Sequence, residues 1–152
     1  MTDLHVILIE DNPSDAMIVR MALDDLSVPY TLTQFESGAD AVRALCQTTL
    51  SIPAPDAILF DLSTPRTDGF EALAQLKSAP LLADVPITII TSSAQRTHKN
   101  RAAVLGARYI EKPMVLRDFL ASVNAALREM APSRFIEPPP SEKPWPSALP
   151  KP

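Results

Sequence analysis

Five short apolar or β-branched runs alternate along this chain with segments of helical periodicity, and few folds accept that order. The runs are His5–Ile9, Tyr30–Phe35, Ala57–Phe60, Pro86–Ile90 and, more weakly, Arg108–Glu111. Ala57–Phe60 and Pro86–Ile90 are nearly continuous in apolar character, as strands buried on both faces require, whereas Tyr30–Phe35 alternates like a strand with one covered face. Ser14–Leu26 has apolar residues, including Met17, Ile18 and Met21, at helical spacing, and Ser14 is its expected N-cap. Ala39–Leu45, Phe70–Lys77 and the polar Gln95–Leu105 supply three more helices. Val115–Met130 supplies the fifth, with Leu116, Phe119, Leu120, Val123, Leu127 and Met130 on one stripe. Thr48–Pro55, with two prolines, is loop. Parallel crossovers are right-handed and cover the sheet, so the expected fold is α/β, a doubly wound (βα)5 parallel sheet with helices on both faces.

The 152 residues, 46% of them hydrophobic, can bury one core, expected over 1–131. Half of the 16 prolines lie from Pro132 onward, so 132–152 is expected to be a proline-rich tail, extended or disordered. Its Phe135, Ile136 and Trp145 also suit an arm docking on a partner or a second copy. A net charge of −4 argues against nucleic-acid binding. The single cysteine, Cys46, allows neither an internal disulfide nor a cysteine zinc cluster. With no apolar run long enough to span a bilayer and no apolar signal region behind Asp3, the cytoplasm is the expected compartment. Only Gly38, Gly69 and Gly106 are glycines, and none makes a glycine-rich turn after the first strand, which disfavours dinucleotide and P-loop binding.

The chemistry therefore falls to acids. Glu10 and Asp11 end the first strand, and Asp61 closes the third just before a sharply bending loop. Ligands of open α/β sheets bind at the carboxyl ends of strands. If Glu10, Asp11 and Asp61 converge, either their pKa values rise or a divalent cation neutralises them, and oxygen-only donors favour Mg²⁺.

Four motifs in register resemble the receiver domains of two-component response regulators, over roughly residues 4–130. They are Glu10-Asp11, the Asp61-Leu-Ser-Thr-Pro-Arg-Thr-Asp-Gly69 segment, Thr91 at the end of the fourth strand, and Lys112-Pro113 after the fifth. The resemblance implies a flavodoxin-like strand order 2-1-3-4-5 and a phosphoryl group accepted by Asp61 from a sensor histidine kinase or phosphotransfer protein. It implies Asp11 and Asp61 as direct Mg²⁺ ligands, Glu10 holding a metal-bound water, and the Ser63 carbonyl completing the set. Lys112 would face the phosphoryl charge. Thr91 and Tyr109 would form the switch that alters a surface of helix four, strand five and helix five. A cis Lys112–Pro113 bond is also implied.

The chain departs from the family at Thr64, where methionine is common, and at Ser63 and Ser93, positions that tune phosphoryl lifetime. The approach from Gly106 to Lys112 is one residue short. The long Gln47–Pro55 loop and the Asp-Leu-Ser-Thr-Pro-Arg run are similar to stand-alone receivers paired with phytochrome-type kinases. With no output domain after the fifth helix, signalling is expected through protein contacts, including a homodimer, rather than by catalysis of an outside reaction. Two alternatives stand beside this reading. A haloacid-dehalogenase-type phosphatase would want a second aspartate where Ser63 stands. A receiver-like scaffold regulated without phosphate is opposed by the intact Asp61 and Lys112. His5 and His98 are isolated and read as surface or strand-start residues.

Overall fold

The computed structural model describes residues 3–47, 52–62, 69–92 and 95–135. Ser63, Thr64, Ser93 and everything from Ile136 on, Trp145 included, lie outside the described residues. Five strands, β1 (Leu4–Ile9), β2 (Tyr30–Phe35), β3 (Ala57–Asp61), β4 (Ile87–Thr91) and β5 (Arg108–Glu111), pair in parallel in the order β2-β1-β3-β4-β5. Five helices connect and follow them: α1 (Pro13–Asp25), α2 (Gly38–Leu45), α3 (Gly69–Ser78), α4 (Arg96–Val104) and α5 (Leu116–Met130). The expected fold and strand order are both present.

The pleat divides the core. Leu4, Val6, Leu8 and Leu59 point towards α1 and α5, while Ile7, Ile9, Ile58 and Phe60 point towards the layer of α2, α3 and α4. β1, β3 and β4 are buried along their whole length, whereas the edge strands β2 and β5 are partly exposed. Among the described residues no helix is long and apolar enough to cross a membrane.

Helix ends and faces depart from expectation in instructive ways. The N-cap of α1 is Asn12, not Ser14: its side chain accepts from the Ser14 and Asp15 N–H groups, and Pro13 then occupies the first helical position, where its missing N–H costs nothing. Met17 and Met21 face outward, because the buried arc of α1 follows Ala16, Val19, Ala22 and Leu23. Leu116, assigned to the buried stripe of α5, is exposed in its first turn, and the inward face begins at Phe119. No described peptide bond is cis, so Lys112–Pro113 takes the trans form, which an X–Pro bond favours by about 0.5–1 kcal/mol. His5 is buried, with both ring nitrogens engaged by the Pro53 carbonyl (2.9 Å) and the Thr33 hydroxyl (2.7 Å).

After α5, Pro132–Phe135 form a 3-10 turn that stays tied to the domain. The Arg134 guanidinium donates to both Asp56 oxygens at 3.0 and 3.1 Å, and Phe135 packs against the α1/α5 side of the core. The folded unit thus continues a few residues beyond the 131/132 boundary drawn from proline density.

Gly69 opens α3 where that helix meets the end of β3. A Cβ there would lie 2.8 Å from Leu62 Cδ2, 3.2 Å from the Leu62 carbonyl oxygen and 3.3 Å from its Cα. Alanine gains roughly 1 kcal/mol in helix propensity, but overpacking against backbone costs about 1–3 kcal/mol, so the clash wins. Gly69→Ala is predicted to destabilise the fold by up to about 2 kcal/mol in urea unfolding, against no loss if α3 can shift freely.

Candidate functional site

The parallel sheet brings the carboxyl ends of its strands to one pole, and the polar residues of the sequence motifs collect there. Glu10 follows β1, its N–H bonded to the Phe35 carbonyl of the neighbouring strand at 2.9 Å. Asp61 is the last residue of β3 and Thr91 the last of β4, both buried. Lys112 follows β5, and its N–H donates to the Thr91 carbonyl at 2.7 Å, which fixes where its long side chain starts.

From that anchor the Lys112 ammonium reaches three carboxylates. Nζ lies 2.5 Å from Asp15 Oδ2, 2.6 Å from Asp61 Oδ2 and 3.5 Å from Glu10 Oε2. One oxygen from each of Glu10, Asp15 and Asp61 falls within 4.8 Å of the others. The cleft has a volume of about 310 Å³ and is lined by Glu10, Asp11, Asn12, Asp15, Asp61, Ser92 and Lys112.

Three acids against one cation leave excess negative charge, and Glu10 absorbs it. Burial first, then a hydrogen bond with Asp61 and the charge of Asp61, push the Glu10 carboxyl up to about 8; Lys112 and the Asn12 N–H pull the other way. For Lys112, burial favours the neutral amine. The bonds to Asp15 and Asp61 and the charges of Asp61 and Glu10 outweigh that and hold its pKa above the ordinary lysine range. The site therefore keeps a firmly charged ammonium beside a carboxyl that retains its proton near neutrality.

Of the residues expected from sequence, Glu10, Asp61 and Lys112 come together. Asp11 lies exposed on the lining of the same cleft. Thr91 sits one strand over from Asp61, and Ser63 lies outside the described residues. Tyr109 is half-buried on β5, level with Ile89, with the Lys99 ammonium 5.9 Å from its ring centroid. Asp15 was missed. It lies in the first turn of α1, and the signal that could have found it is its distance of four residues from Asp11, one helical turn beyond the strand-end acids.

The donor set is oxygen alone, and like charges crowd it; both properties fit a hard divalent cation. Among the described residues of the lining there is no histidine or cysteine, the side chains a softer ion prefers.

Comparison with known proteins agrees with this geometry. A sequence profile described as the response regulator receiver domain matches residues 6–124. Response regulator Rcp1 of Synechocystis sp. is 32% identical over 90 residues, covering 58% of this chain and 61% of Rcp1, so the match spans less than two thirds of that relative. The crystal structure of the phosphorylated cyanobacterial phytochrome response regulator RcpA superposes with a TM-score of 0.77 at 29% identity, covering 91% of this chain and all of RcpA. The Mn²⁺-bound form of Rcp1 gives a TM-score of 0.77 at 26% identity, covering 89% of this chain and 98% of that one.

The raised pKa of Glu10 predicts a pH dependence whose sign follows from proton counting. Between the ordinary glutamate value of 4.5 and about 8, the unfolded chain has lost this proton and the folded chain keeps it. Raising the pH therefore favours unfolding, by up to about 1.4 kcal/mol per pH unit from this group. In EDTA, the stability of Glu10→Gln relative to the parent protein should rise across that window in chemical denaturation. A flat difference would mean that Glu10 ionises normally.

Proposed function

This chain belongs to the response regulator receiver family, and from that premise we propose that Asp61 accepts a phosphoryl group from the phosphohistidine of a sensor histidine kinase or phosphotransfer protein. The observation that carries this reading is the position of Asp61, at a strand end with Lys112 Nζ at 2.6 Å and two further carboxylates beside it.

In the proposed step an Asp61 carboxylate oxygen attacks phosphorus and the P–N bond breaks. Its electron pair returns to the imidazole nitrogen, which takes up a proton, and an aspartyl phosphate remains. Phosphoryl transfer of this kind asks mainly for positioning and charge stabilisation. Lys112 meets both needs, because it already contacts Asp61 and is held charged. Thr91 places a hydroxyl on the adjacent strand, where it can donate to a phosphoryl oxygen and draw its loop inward, with Tyr109 following.

Glu10, Asp15 and Asp61 are the residues assigned to hold a divalent ion, with Asp11 on the cleft lining and the Ser63 carbonyl completing the family's expected set. We assign Mg²⁺ from the all-oxygen donors; the related Rcp1 binds Mn²⁺ in its solved form. When bound, the ion supplies neutralising charge for the carboxylates and the phosphoryl oxygens.

The likeness to RcpA, a cyanobacterial phytochrome response regulator, supports a phytochrome-type kinase as donor and a stand-alone receiver as the protein's form. The receiver unit is assigned to 1–131 and the proline-rich arm to 132–152, its base tied down through Phe135. Output is assigned to the face of α4, β5 and α5, through protein contacts that include a homodimer, in the cytoplasm. No catalysis beyond formation and loss of its own phosphoryl group is assigned.

Incubation with a small acyl-phosphate donor and Mg²⁺ should give an acid-stable, base-labile adduct, seen by intact-mass spectrometry. Asp61→Asn should abolish it, and Lys112→Ala should slow its formation by roughly 10²-fold, the usual effect of removing one charge-stabilising donor. An adduct that survives Asp61→Asn would overturn the reading.

A further inference from the structure

The face formed by α3 and α4 carries an open groove of about 450 Å³ that has no part in the site described above. Phe70, Ala74 and Leu105 give it an apolar lining. Val104, on its rim, is 86% exposed. The volume lies within the range of sites that bury a ligand-sized group.

The charge on this face is unusual too. α4 carries Arg96, Lys99 and Arg101 and no acidic residue. Among the described residues no carboxylate pairs with any of the three, although Arg43, Arg108 and Arg134 each pair with one elsewhere and Lys112 with three. Arg101 lies over the Phe70 ring instead, 4.1 Å from its centroid. With Glu71 on its α3 side and Arg101 on its α4 side, the groove suits an apolar or aromatic group whose neighbouring carboxylate meets α4.

The chain's own C-terminal arm offers that combination. Glu142 and Trp145 are three residues apart in a run rich in proline. The arm starts on the other face of the sheet, where Phe135 packs against the α1/α5 side, so it must pass under the sheet to reach the groove. Asp56, which holds Arg134, precedes β3, and the register of β3, β4 and β5 sets it level with Leu105 at the foot of the groove. Two strand spacings along the sheet and the depth from one helix layer to the other make a path on the order of 25 Å. Trp145 lies ten residues beyond Phe135, a reach of up to about 35 Å. An intramolecular segment with such slack has an effective concentration on the order of millimolar, so a weak contact suffices.

We propose that residues 136–152 dock on the α3–α4 groove of their own chain, with Trp145 seated against Val104 and Leu105 and Glu142 paired with Arg101.

Trp145 is the only tryptophan, so its emission reports on this contact alone. In the full chain, emission should be blue-shifted, and acrylamide quenching several-fold weaker, relative to a synthetic peptide of residues 136–152, with no change on dilution. Val104→Glu, at an exposed position that leaves the far-ultraviolet circular dichroism unchanged, should return both readings to the peptide's values. Arg101→Glu and Glu142→Arg should each loosen the contact, and the double variant should restore it. Peptide-like emission in the full chain would overturn the proposal, as would a buried tryptophan indifferent to Val104→Glu or a double variant no better than the singles. A blue shift lost on dilution would also overturn it, assigning the groove to the arm of a second copy.

Discussion

The Lys112 ammonium, within 2.6 Å of two carboxylates and 3.5 Å of a third, is the contact on which the arrangement at the strand ends depends. Without it, Glu10, Asp15 and Asp61 would place three like charges within 4.8 Å in a largely buried cleft. Removing one partner of such a buried pair costs several kcal/mol, because the charge left behind has no solvent to turn to. One cation cannot neutralise three acids, and the residue of that imbalance is visible in Glu10, which keeps its proton up to about 8. The cleft is thus poised for added positive charge, and that poise makes a cation-dependent phosphoacceptor its best reading.

The fold carries this arrangement on its strand ends and on the start of α1. Asp61 ends a strand whose four preceding residues are buried, so the acid is carried on a rigid element rather than on a loop. Lys112 is fixed by the bond from its N–H to the Thr91 carbonyl, which ties the ammonium to the end of β4. Asp15 arrives from α1, whose start is set by Asn12 and Pro13. The groups of the site therefore sit on or at the ends of five elements, β1, α1, β3, β4 and β5, whose mutual positions are set by the sheet pairings and by the packing of α1 against α5.

The strands were legible because buried parallel strands demand continuous apolar runs, and Val6–Ile9, Ala57–Phe60 and Ile87–Ile90 are such runs. Helix faces were less so. Met17 and Met21 have the right spacing for a core stripe, yet a neighbouring arc through Val19 and Leu23 is the one that meets the sheet; periodicity gives a face but not its azimuth. Within the site, Glu10, Asp61 and Lys112 were legible because each stands at a strand end. Asp15 was not, since its approach depends on how α1 crosses the sheet. The start of α1 was misread because Ser14 and Asn12 are both good caps, and Pro13 between them decides in favour of Asn12.

Among three neighbouring carboxylates, Asp61 is the one proposed to carry the phosphoryl group. Reduction of the phosphorylated protein with borohydride converts an acyl phosphate to the corresponding alcohol, and peptide mapping then locates it. The modification is expected at residue 61 alone, as homoserine. Modification at Asp11 or Asp15, or its spread over several acids, would contradict that assignment.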